Sequence, residues 1–281
     1  MTAAAPQVTA VIVSFNTREH LLQSLASLEA VAVALETIVV DNASEDGSAE
    51  AVRARFPGAR VMRNAENVGF GRACNQALAV AQAPYVLLLN SDAEVRPGAV
   101  ETLAGRLDRQ ADLAAAGPRT VDADGVIEVS FGPPLTLRHE WRQRRLVRGV
   151  RARSAEAVRA AERLASVEHE PAWLSASCLL ARRDALRGVG GFDEAFFLYE
   201  EDVDLCVRLR QAGWRLLYTP AAEAVHHGGR SMESLPDRAR LEYERSHLHY
   251  YRKHNGPLAT AALRAWLAAS AASRWLRRRR G

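Results

Sequence analysis

VTAVIVSFNTREHLLQSLASL, residues 8–28, sets an apolar run against an amphipathic one. Residues 8–14 carry few polar side chains, as does a parallel strand buried on both faces. Asn16 and Thr17 offer caps for a helix that puts Leu21, Leu22, Leu25 and Leu28 on one side. The same alternation then repeats. ETIVV (36–40) reads as a second strand that stops at Asp41–Asn42, and SEDGS (44–48) is turn chemistry opening another helix. RVMR (60–63) is a short third strand, 64–71 a loop, and RACNQALAVA (72–81) a helix. YVLLL (85–89) is a fourth strand ending at Asn90–Ser91–Asp92, and Pro97 begins a helix running to about Arg109. This order predicts an α/β fold with a mostly parallel, doubly wound sheet flanked by helices, and ligands at the carboxyl ends of the strands. Polar residues gather at those ends: Ser14, Asp41 with Asn42, and Asn90–Ser91–Asp92.

The stretch GGFDEAFFLYEEDVDLCVRLRQAG, residues 190–213, carries the chemistry. An apolar aromatic run, Phe196 to Tyr199, adjoins the carboxylates of Glu200, Glu201, Asp202 and Asp204 at the start of a helix. Burial beside such a wall raises a carboxyl pKa and makes a better general base. The competing account is that acidic residues favour a helix's first turn because of its dipole. Asp204 stands four residues before Arg208, a spacing that suits an ion pair.

Composition narrows the class. The chain has 281 residues, 48% hydrophobic and 25% charged, the proportions of a soluble globular protein. Cys74, Cys178 and Cys206 have no metal-like spacing and lie in apolar runs, so they read as buried thiols of a reducing compartment. The N-terminus shows no signal-peptide pattern, and no segment reaches the ~18–20 apolar residues of a membrane span. The net charge of +4 is small but unevenly spread. Arginine concentrates in 138–153, with Trp141, and in 277–280. The first cluster reads as a basic loop over an anionic diphosphate, or as a solvated insertion. No nucleic-acid motif accompanies it, and nucleic acid is not an expected partner. Residues 257–281 are alanine-rich and helical with Trp266 and Trp275, which suits a helix lying on an anionic membrane or packing on a partner subunit.

Seven segments in order, VIVSFNTREHL, VVDNASEDGS, ENVGFGRACNQAL, LLLNSDAEV, WLSASCLLARRDAL, GGFDEAFFLYEEDVDLCVRLRQAGW and VHHGGRS, resemble the family 2 glycosyltransferases of the GT-A fold. FFLYEED and HHGG are similar to its bacterial rhamnosyltransferase-like branch. The resemblance spans roughly residues 8–231, leaving 232–281 as a C-terminal helical extension. It implies an inverting enzyme that moves a sugar from a nucleotide-diphosphate donor to a hydroxyl of a glycan or lipid-linked acceptor. In that frame Asp41 accepts the N3–H of a uracil or thymine ring; the rival account is an Asx-turn. Ser14, Asn67, Gly69, Asn90 and Ser91 contact the donor, the loop glycines allowing close backbone approach and the following helix N-terminus favouring a diphosphate.

Asp92 occupies the second acidic place of the family's Asp-x-Asp, whose first place is Asn90 here. With His226 it is the expected holder of a divalent cation, magnesium or manganese. His227 is the weaker candidate, because adjacent histidines point apart. Asp202 matches the Asp of the family's Glu-Asp pair and is the expected base, with Glu201 binding the acceptor or tuning it. Trp173 reads as core or as a sugar-stacking ring. A sugar nucleotidyltransferase would place a glycine-rich basic loop after the first strand, where SFNTREH stands. A non-catalytic nucleotide-binding module is the other alternative. The expected location is the cytoplasm, peripheral at the inner face of the membrane.

Overall fold

A computed structural model describes residues 5–228 and 236–278, with side chains as far as Ser270 and none described for 236–238. In chain order the elements are β1 Val8–Ser14, α1 Arg18–Ser27, β2 Leu35–Asp41, α2 Ser48–Arg55, β3 Arg60–Arg63, α3 Phe70–Val80, β4 Tyr85–Asn90, β5 Ala93–Val95, α4 Ala99–Arg109 and β6 Leu113–Val121. Then follow β7 Ile127–Glu128, β8 Phe131–Gly132, α5 Leu137–Arg151, α6 Ala155–Ala165, β9 Trp173–Leu174, β10 Cys178–Arg182, α7 Arg183–Gly188, α8 Glu201–Gln211, β11 Arg215–His226, α9 Pro236–His254 and α10 Gly256–Arg278.

The main sheet has the order β3-β2-β1-β4-β10-β6-β11-β5, with β7 paired to β6. β3, β2, β1 and β4 pair in parallel, and β6 pairs in parallel with β11. β10 is antiparallel to both β4 and β6, which leaves β6 and β11 pointing the same way as the first four. The sheet is thus mostly parallel, as expected, with β10 inserted against the grain.

Alternation along the strands sends side chains to two cores. One face packs Val11, Ile38 and Leu88 with residues of α3, α7 and α8, such as Ala77, Leu186 and Leu205. The other packs Ile12, Val39 and Leu87 on α1 and α4 through Leu21, Leu25 and Leu103. Each fully buried Leu or Ile contributes ~1.5–3 kcal/mol relative to an exposed one. A third cluster, Phe196, Val203, Tyr250, Tyr251 and Leu263, fastens α9 and α10 onto α8 and the segment before it.

The arginine-rich 138–153 segment is not a loop. It forms α5, started by Thr136 Oγ1 accepting from the His139 N–H. Its register turns Val150 into the core and Arg144 onto Tyr243 and Trp266, at 5.5 and 4.8 Å from the ring centroids. Cation–π contacts and ion pairs replace the apolar stripe that would have revealed it. The three cysteines are free and buried.

Candidate active site

The carboxyl ends of β1 and β4 open into a cavity of about 760 Å³, within the size range of small-molecule sites. Its base holds Asn90, Ser91 and Asp92 from the end of β4, facing His226 from the end of β11. His226 Nε2 lies 3.3 Å from Asp92 Oδ1 and 3.4 Å from Asn90 Nδ2, while its Nδ1 meets Glu128 Oε2 at 2.8 Å. Burial opposes a charge on this ring, but the hydrogen bonds to Asp92 and Glu128 outweigh it and raise its pKa to about 10. His227 points elsewhere, to Glu94 at 2.7 Å, and its backbone N–H donates to the Asp92 carbonyl at 2.8 Å.

The glycine loop closes one side. Gly69 has φ +87°, and a Cβ there would stand 2.5 Å from the Phe197 carbonyl oxygen. Only glycine permits that approach. The Phe70 N–H then donates to the same oxygen at 3.0 Å, while Asn67 Oδ1 accepts from the Gly69 N–H at 3.0 Å. The loop before α3 and the aromatic run before α8 are therefore stitched together.

Glu201 and Asp202 stand on the opposite edge, at the first turn of α8. Asp202 Oδ2 accepts from the Ala176 N–H at 3.0 Å and Oδ1 from its neighbour's N–H, Val203, at 2.8 Å. Burial raises its carboxyl pKa, and these backbone bonds pull it back. Glu201 has less support: its own backbone N–H alone lowers it, and its Oε2 is buried without a hydrogen bond. Burial, then the Asp202 charge, push it well above the usual carboxylate range. Of the two, Glu201 is raised further and is the one that favours keeping a proton. Asp204 turns away from the cavity. It pairs with Arg208 at 2.7 Å, Lys253 at 2.8 Å and His254 at 2.7 Å, so the expected i,i+4 pair exists inside a larger network.

Two expected donor contacts lie beneath the cavity, outside its lining. Ser14 is fully buried. Its Oγ meets Thr17 Oγ1 at 3.0 Å, and Thr17 in turn donates to Ser91 Oγ at 2.8 Å. Asp41 is also buried, with Oδ1 accepting from the Ser44 N–H at 3.3 Å, an Asx-type turn. Its Oδ2 has no hydrogen bond and faces Arg63 Nε at 3.3 Å. Asn42, the next residue, reaches the cavity instead. Trp173 packs at β9 and donates to the Pro133 carbonyl at 3.0 Å.

The sequence matches the model of glycosyl transferase family 2 over residues 9–154, and that of glycosyl transferase family group 2 over 85–245. The N-acetylglucosaminyl-diphospho-decaprenol L-rhamnosyltransferase of Mycobacterium tuberculosis is 34% identical over 242 residues, covering 79% of this chain and 76% of that one. The chain belongs to glycosyl transferase family 2. Its fold is GT-A. GalNAc-T7, solved with UDP, GalNAc and Mn2+, superposes with TM-score 0.58 at 15% identity, over 79% of this chain and 44% of its own. The mannosyltransferase PcManGT of Pyrobaculum calidifontis, solved with GDP-Man and Mn2+, gives 0.57 at 18%, over 96% and 81%.

Among the described residues of this family 2 glycosyltransferase, metal-capable groups converge at the cavity base and behind α8, besides carboxylate–histidine pairs elsewhere. At the cavity base, Asp92 and His226 bring a carboxylate and an imidazole within 3.3 Å, backed by Glu128, a donor set that suits manganese or magnesium beside phosphate oxygens once the cation displaces the ring proton. Behind α8, among the described residues, Glu140, Glu200 and His247 also cluster. There Arg144 Nη2 already lies 3.2 Å from His247 Nε2 and 3.4 Å from Glu140 Oε1, so a cation is built in and the cluster reads as an ion network. Glu128, Ser175 and Ser177 also line the cavity; Glu128 left no trace in the sequence, while the two serines lie in the WLSAS segment without an individual signal of their own.

Proposed function

We propose that this glycosyltransferase moves an L-rhamnose-type sugar, with inversion, from a nucleotide-diphosphate donor to a hydroxyl of a lipid-diphosphate-linked glycan. The observation that carries the reading is the pair Asp202, held by the Ala176 N–H, and Glu201, with a buried Oε2 lacking a bond, on the wall of a cavity whose base holds Asp92 and His226. The similarity to the mycobacterial rhamnosyltransferase supports the sugar and acceptor class. Asp202 takes the proton from the attacking hydroxyl, and the protonated Glu201 binds the acceptor by donating to one of its oxygens. Asp41 Oδ2, lacking a hydrogen bond, accepts the N3–H of a uracil or thymine base once the half-exposed Arg63 side chain swings aside. Asn67, Gly69, Asn90 and Ser91 flank the diphosphate, and Ser14 acts through Thr17 and Ser91. Asp92 and His226 hold a divalent cation, which when bound offsets the charge on the leaving diphosphate.

Arg151, the last residue of α5, also lines the cavity and has no carboxylate ion pair among the described residues. We assign it to the acceptor diphosphate. The outer side of the same helix exposes Arg138, Trp141, Arg142 and Arg145, and Trp141 is 61% exposed. That face, with the basic C-terminus, holds the enzyme peripherally on an anionic membrane at the cytoplasmic side. No helix among the described residues is long and apolar enough to cross one.

UDP-, dTDP- and GDP-rhamnose, offered with a lipid-diphosphate N-acetylglucosamine acceptor and manganese, test the reading. Transfer is expected from UDP or dTDP donors and not from GDP, because guanine lacks the N3–H that Asp41 would accept. Transfer of no sugar, or transfer of other hexoses in preference, overturns it.

A further inference from the structure

Tyr199 and Glu200 are consecutive non-glycine residues in the left-handed region, with φ 70° and 66°. They come directly before Glu201, the first residue of α8. Such residues are strained and persist only where their surroundings hold them. Here the hold comes from α9. Ser246 Oγ donates to the Leu198 carbonyl at 2.7 Å, and His247 Nδ1 meets Glu200 Oε1 at 2.5 Å. The other ring nitrogen, Nε2, meets Glu140 Oε1 on α5 at 2.9 Å. Tyr251 donates to Glu140 Oε2 at 3.1 Å, so Glu140 keeps support of its own. His247 is fully buried, and Glu140 and Glu200 are 7% exposed each. Burial works against a charged imidazole, but the two glutamates prevail and raise it to about 9. Each ring nitrogen thus faces a glutamate, with the Arg144 guanidinium 3.2 Å from Nε2.

We propose that His247, with Ser246, is a positioning pair for catalysis: from α9 they hold Leu198–Glu200 in the left-handed turn that presents Asp202 to the cavity. The inference rests on Asp202 being the base. It gives residues of the C-terminal region a part in the chemistry without contact with either substrate. A 1 Å misplacement of a catalytic group costs as much as ~100-fold in rate.

The two nitrogens allow a clean test. Asn at 247 puts its amide nitrogen near where Nδ1 stands, keeping the bond to Glu200 and losing that to Glu140. Gln reaches the Nε2 position and does the reverse. His247→Asn is expected to keep the transfer kcat within about threefold. His247→Gln is expected to lose kcat by ~10- to 100-fold, with the donor KM unchanged, although both variants lose thermal stability. Equal kcat losses in the two variants, following their melting temperatures, would reduce the pair to a structural role. A fully active His247→Gln enzyme overturns the proposal, provided Asp202→Asn is inactive; an active Asp202→Asn overturns the base assignment itself. Should His247→Gln not fold, Glu200→Ala and Glu200→Gln read the same contact. Glutamine still accepts the His247 proton and should keep kcat, whereas alanine should lose it.

Discussion

The backbone N–H of Ala176 donates to Asp202 Oδ2 at 3.0 Å. Ala176 precedes β10 and Asp202 opens α8, so the bond crosses the rim of the cavity and fixes the carboxylate from outside its own helix. Glu201, one residue away, has a buried Oε2 with no bond at all. On the function proposed above, this asymmetry makes Asp202 the ionised acid and Glu201 the protonated one. Asp202→Asn should lower transfer by ~100- to 10,000-fold, the usual cost of a lost general base, and leave calorimetric nucleotide binding intact. Glu201→Gln replaces a neutral acid with a neutral amide and should stay well short of the ~100-fold loss that marks a general base. If the glutamine variant is the dead one and the asparagine variant turns over, the two roles are exchanged.

Donor binding should need a divalent cation. The motive is the 3.3 Å approach of Asp92 and His226 at the cavity base, with Asn90 where a second acid would add charge. Titrating UDP with and without manganese should show affinity lost in EDTA, and Asp92→Ala and His226→Ala should weaken manganese binding read by calorimetry in the absence of any nucleotide. Equal UDP affinity in EDTA and manganese would remove the metal from the reading.

The strand and helix order of the first half was legible because parallel strands buried on both faces are continuous apolar runs, and Val8–Ser14 and Tyr85–Asn90 are such runs. The direction of β10 was not. CLLAR reads the same in a parallel or an antiparallel ladder, and only its pairing with β4 decides. α5 escaped because its contacts are polar: Glu140 to His247, Arg144 to Tyr243, with Val150 its one fully buried apolar side chain. At the site, Asp92, His226 and Asp202 stand out as ionisable residues at element ends. Glu128 does not, since a lone acid on a two-residue strand carries no pattern, and Ser175 is covered only by the WLSAS segment as a whole, with no signal of its own. Asp41 and Ser14 were legible as strand ends, but a strand end does not reveal whether its side chain faces the cavity or the layer beneath.

Asp204 should govern acid stability. Burial alone would raise its carboxyl; the hydrogen bonds from His254, Lys253 and Arg208 instead hold it far below the ordinary value of 3.8. A depressed carboxyl adds stability that is complete above the unfolded pKa of ~3.9 and disappears as pH falls toward the folded one. Asp204→Asn should therefore destabilise the protein at pH 7 by ~3 kcal/mol, the lower end for a broken buried pair, since Lys253 is 30% exposed. The melting-temperature gap between wild type and variant should narrow from pH 4 downward. A gap constant from pH 7 to pH 2.5 would mean that the network contributes nothing through charge.

Attachment to anionic membranes should depend on α5 and the C-terminus together. Arg138, Arg142 and Arg145 lie on the exposed side of α5 around Trp141, and the Arg145 guanidinium sits 6.0 Å from the Trp141 ring centroid. Arg279 and Arg280 lie outside the described residues, and Arg277, Arg278 and Trp275 outside the described side chains. Cutting the chain at Gly256 would confound the test, because Leu263 of α10 is fully buried against Tyr250 and Tyr251. Ending it after Ser270 removes the basic terminus and spares that packing. Each basic residue near an anionic surface contributes ~1 kcal/mol, so replacing the three α5 arginines by glutamine should weaken binding to phosphatidylglycerol vesicles about a hundredfold. Binding should also weaken with salt, since charge attraction is screened over ~8–10 Å at ordinary ionic strength. Co-sedimentation should show partial loss for the triple variant and for the chain ending at Ser270, and complete loss when the two are combined. If the combined variant still sediments like the full chain, and does so in high salt, the surface that meets the lipid is apolar and lies elsewhere, with Leu258 and Trp266 of α10 the next residues to replace.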